Sequence, residues 1–343
     1  MKRGIQAAFF CNGISWVGRD GRAGIDYVYA EGRRQQVGEM TSLHPVVITG
    51  DNFDVEAVRL KDLEVIFSTW GMPALSDEQL DRLPRLRALF YAAGAVKRFA
   101  LPYLARNVTV VSAWAANAVS VAEFCLGQIL LSCKGYFRNT CDCRSHEIRQ
   151  QKRPFLGPGA YGETVAIIGA GQIGRNLINL LKPFQLRIVV VDPYLSESEA
   201  EGMGVVRVTL EEAFAQSVVV SNHLPDLPNL TRVLDGRLFA SMRPNATFIN
   251  TGRGRQVNEP ELIAVLRDRL DLMALLDVTD PEPCAPDSEL YRLPNVQLSS
   301  HMAGAHDDEV IRMADTVIEE FTRWQNGDPL RFAVTREQLA RMA

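Results

Sequence analysis

Val165-Ala166-Ile167-Ile168-Gly169-Ala170-Gly171-Gln172-Ile173-Gly174 is the stretch that decides the fold of this chain. Its first four residues form an unbroken apolar run, as a strand buried on both faces requires. A Gly-x-Gly-x-x-Gly turn follows, with Gln172 and Ile173 as its last spacers. Gly169 permits a tight turn, Gly171 lets backbone approach a pyrophosphate, and Gly174 lets the next helix pack close to the strand. That helix, predicted over Arg175 to Leu181, offers free N–H groups and a positive dipole end to phosphates. A second strand, Arg187 to Val191, ends at Asp192, 18 residues past Gly174, where an acid can accept hydrogen bonds from an adenosine ribose. A glycine turn alone is weak evidence of anything. Strand, glycines, helix, strand and acid in this order imply dinucleotide binding. Asp192 repels a 2′-phosphate, and Pro193 and Tyr194 supply no cation to offset it, so NAD is expected over NADP.

Outward from this motif, strands continue at Val218–Ser221, Thr247–Asn250, Ala274–Asp277 and Val296–Ser299, with helices between them, notably Glu259–Arg269. The first ~110 residues show a similar alternation. Strands are predicted at Ile5–Cys11, Pro45–Ile48, Val65–Phe67, Leu86–Tyr91 and Val108–Ser112, with helices at Ile25–Gly38, Asp54–Lys61 and Asp77–Leu83. Ser76 with Gln79 reads as a capping box at the start of the last of these. Short strands alternating with helices imply parallel sheets covered by helices. A long apolar helix is expected from Ala116 to about Arg138, a linker from Gln151 to Gly162, and an amphipathic helix from Asp307 to Trp324.

A chain of 343 residues is long for one core, so two domains are expected. The net charge of −4 gives no electrostatic reason to bind nucleic acid or an anionic membrane. No apolar run approaches the ~20 residues of a spanning helix. Lys2 and Arg3 precede the apolar Ile5–Cys11, but that segment is short and contains Gln6, so it reads as a first strand and not a leader. The six cysteines form no C-x-x-C pair, which implies a reduced, cytoplasmic setting. Cys141-Asp142-Cys143 reads as plain helix, and no metal site is expected.

Three stretches fall just past strand ends in the second half: Asn250-Thr251-Gly252-Arg253-Gly254, Leu276 to Pro283, and Ser299-Ser300-His301-Met302-Ala303-Gly304. Ligands of open α/β sheets bind outside the carboxyl ends of the strands. A cation, an acid and an imidazole are therefore expected on one crevice, with Thr251 counted among the cofactor contacts.

With these residues in view, the chain resembles the D-isomer-specific 2-hydroxyacid dehydrogenase family along essentially its whole length. The likeness rests on Tyr91-Ala92-Ala93-Gly94, Ala116-Asn117 with Val121-Ala122-Glu123, the glycine turn, His223-Leu224-Pro225, Arg253, Asp277, Glu282 and His301. The resemblance implies that Arg253 holds the substrate carboxylate and polarises its carbonyl. It makes His301 the acid/base and Glu282 its partner. It places Asp277 on the nicotinamide carboxamide, and gives backbone N–H groups of Gly94, Ala95 and Val96 to the substrate. It also implies a homodimer, which the apolar helix at Ala116–Arg138 favours on its own account. Ser300 stands where the family usually has Pro, and Ser120 replaces another common Pro. Formate enzymes of this fold have Gln where this chain has Glu282. A phosphite donor, or an NADH-gated binding protein of corepressor type, is the alternative reading.

The chemistry demands the same groups. Reduction of a 2-oxo acid needs a hydride at the carbonyl carbon, which nicotinamide supplies, and a proton at the oxygen, for which histidine is the simplest donor at neutral pH. A carboxylate is best held by the planar fork of an arginine. A second carboxylate beside the histidine fixes its tautomer and favours the imidazolium. The expected fold is α/β with two domains. A flavodoxin-like substrate domain (residues 1–115 plus 305–343) carries an inserted Rossmann-type NAD-binding domain (116–304), with the active site between them.

Overall fold

The computed structural model describes residues 4–13, 18, 20–151 and 154–340. The Lys2-Arg3 pair and positions 152 and 153 of the expected linker lie outside the described residues. The chain divides into two compact units, Met1–Asn117 with Ala305–Ala343, and Ala118–Gly304.

The first unit contains β1 (Gln6–Phe10), β2 (Ser42–Leu43), β3 (Val65–Ser68), β4 (Ala88–Tyr91) and β5 (Thr109–Ser112). They form one parallel sheet in the order β2-β1-β3-β4-β5. This is the doubly wound order of flavodoxin-like sheets. β3 and β4 are buried along their whole length, as helices on both faces require. On one face Phe67 and Phe90 stack at 5.5 Å, and Phe321 meets both edge-on at 5.1 and 5.5 Å. Phe321 stands on the helix Ile311–Asn326, so the C-terminal segment belongs to this core. Burying one such ring contributes roughly 1.5–3 kcal/mol.

The second unit contains β6 (Tyr161–Ile168), β7 (Gln185–Val191), β8 (Val206–Arg207), β9 (Val219–Asn222), β10 (Thr247–Asn250), β11 (Met273–Leu276) and β12 (Val296–Leu298). All pairs are parallel, in the order β12-β11-β10-β9-β6-β7-β8. The chain enters at the middle, builds outward through β7 and β8, then returns to the other side of β6. The direction of winding therefore reverses between β6 and β9, where Rossmann-type sheets bind their ligands. Along β6 the side chains alternate between the two faces: Val165 and Ile167 pack into one core, Ala166 and Ile168 into the other.

Several elements differ from expectation. Pro45–Ile48 is not a strand; the edge strand is Ser42–Leu43, and Ile48 makes a single bridge to Phe10. Proline has no N–H for a ladder. The helix expected over Ile25–Gly38 is two helices, Gly24–Val28 and Arg33–Met40, separated where Glu31 and Gly32 turn left-handed (φ 51° and 84°). The helix expected from Ala116 to Arg138 runs from Trp114 to Cys133, breaks at Gly135 (φ 71°), and resumes at Tyr136–Asp142. Its 20 residues are, by length and composition, enough to cross a membrane, which corrects the expectation that no run is. Val121, Ala122, Cys125, Ile129 and Cys133 instead bury it in the second unit's core. The capping box of Ser76 and Gln79 forms as read. All six cysteines are free thiols.

Candidate active site

The carboxyl ends of β6, β7, β10, β11 and β12 share one rim of the second sheet, and each carries residues of the expected site.

After β6, Gly169 adopts φ 95°, and a Cβ there would stand 2.9 Å from the His223 carbonyl oxygen. A Cβ on Gly174 would stand 2.1 Å from the Gly169 carbonyl oxygen. Both positions exclude any side chain. Gly171 is different: a Cβ there meets nothing within 4 Å, so its absence leaves open space beside the turn. The helix Gln172–Leu181 starts directly behind, without a side-chain cap. Its first turn therefore presents N–H groups outward. Asp192, at the end of β7, braces this turn. Its Oδ2 accepts from the Ala170 N–H at 2.7 Å and its Oδ1 from the Tyr194 N–H at 2.8 Å. Each oxygen retains a further lone pair. Asp192 thus has a structural role that spacing did not reveal, and lone pairs remain for the ribose role expected of it.

After β10, Arg253 is half-buried and makes no ion pair among the described residues; its Nη1 donates to the Gly252 carbonyl at 2.8 Å. Its backbone rests on a buried amide network. The Gln256 Oε1 accepts from the Arg253 N–H at 3.0 Å and from Asn222 Nδ2 at 2.7 Å. Asn222 Nδ2 also reaches Asn250 Oδ1 at 2.9 Å. Gln256 Nε2 donates to the carbonyls of Leu224 and Pro225, both at 2.8 Å. Gly254 has no room for a side chain, since its Cβ would lie 2.0 Å from the Thr279 carbonyl. The three amides were not expected as site residues. Their signal in the sequence is a polar residue closing an apolar strand, at Asn222 and Asn250.

Thr251 is buried and faces inward. Its Oγ1 lies 3.2 Å from His223 Nδ1 and 3.4 Å from Cys125 Sγ. His223 Nε2 lies 2.9 Å from Ser221 Oγ. Both imidazole nitrogens therefore have partners, and burial pushes the His223 pKa down to about 3, holding the ring neutral. Burial likewise pushes the Cys125 thiol up to about 12. The Thr251 hydroxyl is thus engaged by two buried neighbours.

After β11 and β12, the structure brings His301, Glu282 and Asp277 together. His301 Nδ1 lies 2.5 Å from Glu282 Oε1, with both side chains 39% exposed. His301 adopts φ 58°, in the left-handed region. That conformation costs roughly 1–3 kcal/mol for a residue other than glycine. The Asp277 carboxylate offsets it by accepting from Ser299 Oγ and from the N–H groups of Met302 and Ala303. Hydrogen bonds to a charged group contribute about 1.5–3 kcal/mol each.

Gly94, Ala95 and Val96 belong to the first unit, in the loop after β4. Ser112 Oγ donates to the carbonyls of Ala93 and Gly94, at 2.9 and 2.7 Å, fixing the approach to this loop. Among the described residues, no group of three or more His, Cys, Asp or Glu could hold a metal.

Residues 126–303 match the family model described as "D-isomer specific 2-hydroxyacid dehydrogenase, NAD binding domain". D-3-phosphoglycerate dehydrogenase of Methanocaldococcus jannaschii is 28% identical over 288 residues, 83% of this chain and 53% of that protein. Glyoxylate reductase of Korarchaeum cryptofilum is 28% identical over 273 residues, 79% of this chain and 82% of that protein. The chain spans about half the length of the phosphoglycerate dehydrogenases it matches. Among solved structures, apo D-mandelate dehydrogenase from Rhodotorula graminis aligns with a TM-score of 0.78 at 20% identity, over 97% of this chain and 98% of that one. That likeness is one of fold.

Proposed function

The chain belongs to the D-isomer-specific 2-hydroxyacid dehydrogenase family, and we propose that it interconverts a 2-oxo acid and a D-2-hydroxy acid by NAD-dependent hydride transfer. One observation carries the reading. Arg253, without an ion pair among the described residues, and His301, held by Glu282, stand at the carboxyl ends of strands separated only by β11.

The second unit fits NAD. The open space at Gly171, the uncapped helix start at Gln172 and the Asp192 carboxylate are what a pyrophosphate and an adenosine ribose require. Gln172, Ile173 and the Thr251 backbone complete the proposed contacts. When bound, the reduced cofactor supplies the hydride. The protein's own groups do the rest. Arg253 binds the substrate carboxylate through its fork and polarises the adjacent carbonyl. Glu282 occupies His301 Nδ1, which leaves Nε2 to deliver the proton to the developing alkoxide, or to remove it in the oxidative direction. Asp277 has one lone pair left for the carboxamide.

We also assign a homodimer. Leu131, Tyr136, Leu156 and Tyr161 leave apolar surface exposed on the second unit. Light scattering on the purified protein checks this. The catalytic reading is tested by following NADH oxidation with glyoxylate, hydroxypyruvate, pyruvate, phenylpyruvate, branched 2-oxo acids and phosphohydroxypyruvate. Turnover of at least one is expected. Inertness toward all of them rejects the reading.

A further inference from the structure

We propose that Asp277 and Ser299 are positioning residues that clamp the His301 loop and set it in register with the Arg253 strand. The proposal rests on His301 being the acid/base.

Three hydrogen bonds to one carboxylate make the clamp. Asp277 is buried, 3% exposed, directly after β11. Its Oδ1 accepts from Ser299 Oγ at 2.6 Å and from the Met302 N–H at 2.9 Å. Its Oδ2 accepts from the Ala303 N–H at 3.0 Å. The residues on either side of His301 are thus tied to one carboxylate. A left-handed residue turns the chain so that successive N–H groups can converge on a single anion, and His301 at φ 58° is that residue. Remove the carboxylate and the buried Ala303 N–H has no acceptor, so the loop has no reason to keep a conformation that a histidine disfavours.

The same residue reaches the other side of the site. The Asp277 N–H donates to the Asn250 carbonyl at 3.0 Å, at the end of β10, and Asn250 Nδ2 contacts the Arg253 carbonyl at 3.4 Å. The Ser299 N–H donates to the Leu276 carbonyl at 3.0 Å. One short path therefore runs from the base of Arg253 through Asp277 to the backbone that carries His301. Glu282 fixes the imidazole ring; Asp277 fixes the backbone on which the ring stands. These are separate tasks, because Glu282 meets the ring at Nδ1 while Asp277 holds the backbone.

The clamp differs in its consequences from a contact with the nicotinamide. Ser299 has its hydroxyl on Asp277, so its loss tests the clamp without removing a carboxylate from the cofactor. Three variants, Ser299→Ala, Ser299→Thr and Asp277→Asn, are to be measured in two ways. The first is amide hydrogen exchange of the 298–304 segment in the cofactor-free protein. The second is kcat, KM and the NADH dissociation constant by fluorescence titration. Ser299→Ala is expected to exchange faster in this segment and to lose about fivefold in kcat, with NADH affinity unchanged. Ser299→Thr keeps the hydroxyl and is expected to match the wild type in both. Asp277→Asn is expected to lose about 10²-fold in kcat, the effect of displacing a catalytic group by an ångström or so. Wild-type exchange and kcat in Ser299→Ala would overturn the clamp. So would a defect in Asp277→Asn confined to NADH affinity. Full turnover by His301→Ala would instead overturn the acid/base reading; the exchange rates then still decide the clamp.

Discussion

The turn after β6 and the turn after β12 are each braced by an acid at the end of the neighbouring strand. Asp192, after β7, accepts the N–H groups of Ala170 and Tyr194. Asp277, after β11, accepts Ser299 Oγ and the N–H groups of Met302 and Ala303. The two turns obtain their left-handed residue differently. At φ 95° the first uses Gly169, which has no Cβ to clash. At φ 58° the second uses His301, whose conformation must be held by its surroundings. The difference follows from what each turn presents. The glycine turn presents bare backbone, and any side chain would obstruct it. The other presents an imidazole, so it cannot use glycine and relies on a third hydrogen bond.

Exchanging the left-handed residues of the two turns has the largest expected effect. His301→Gly is expected to relieve backbone strain and leave the melting temperature equal or higher, while kcat falls roughly 10²–10⁴-fold with the proton donor gone. Steady-state kinetics beside thermal melts check this pair of effects. Gly169→Ala is the reverse exchange. Its Cβ would crowd the His223 carbonyl in a left-handed conformation, so stability should fall by roughly 1–3 kcal/mol and NADH should bind more weakly. Chemical denaturation and fluorescence titration measure the two losses.

The next effect concerns His223, which lies beneath the glycine turn. Its ring is held neutral in the folded protein, with its pKa down at about 3 against an ordinary 6.5. Stability from the neutral ring is therefore complete above pH 6.5. It is lost as pH falls toward 3, because the unfolded chain takes up a proton that the folded chain refuses. By pH 5 the loss should be about 2 kcal/mol. Urea unfolding at pH 8 and pH 5 should show a smaller decline for His223→Gln than for the wild type. Parallel declines would mean that the ring can charge in place. The smallest effect is expected at Asp192. Asp192→Ala should narrow the preference for NAD over NADP by about tenfold, one hydrogen-bond's worth of discrimination. Equal efficiency with both cofactors in the wild type would remove the ribose role and leave only the brace.

The two turns also mark how far the sequence could be read. The first was legible because Gly169 and Gly174 answer local steric demands and Gly171 leaves the turn open, and such local features leave a pattern of fixed spacing. Strand positions in the second unit were legible for the same reason, apart from the two-residue edge strand β8. The clamp on His301 was not. Its bonds join Asp277 to residues 22 to 26 positions away, and nothing in Ser-Ser-His announces a left-handed histidine. Asp277 itself was found, but only its role toward the cofactor was anticipated. The amides beneath Arg253 were missed because Asn222 meets Asn250 and Gln256 only when two strands' ends, far apart in sequence, are brought together. The helix breaks at Gly32 and Gly135 were missed for the opposite reason. Helix-compatible sequence continues past each, with Tyr136-Phe137 apolar after Gly135, and one glycine in such a stretch does not by itself say that the helix stops.

The proposed function turns on Arg253 recognising the substrate's carboxylate. The direct measurement is kcat/KM for the best 2-oxo acid of the panel and for its uncharged 2-oxo amide, with wild type and Arg253→Ala. The wild type should favour the acid by roughly 10²-fold, the strength of a paired charge–fork interaction, and Arg253→Ala should erase that preference by losing the acid alone. An acid preference that survives unchanged in Arg253→Ala would place the carboxylate elsewhere and contradict the account.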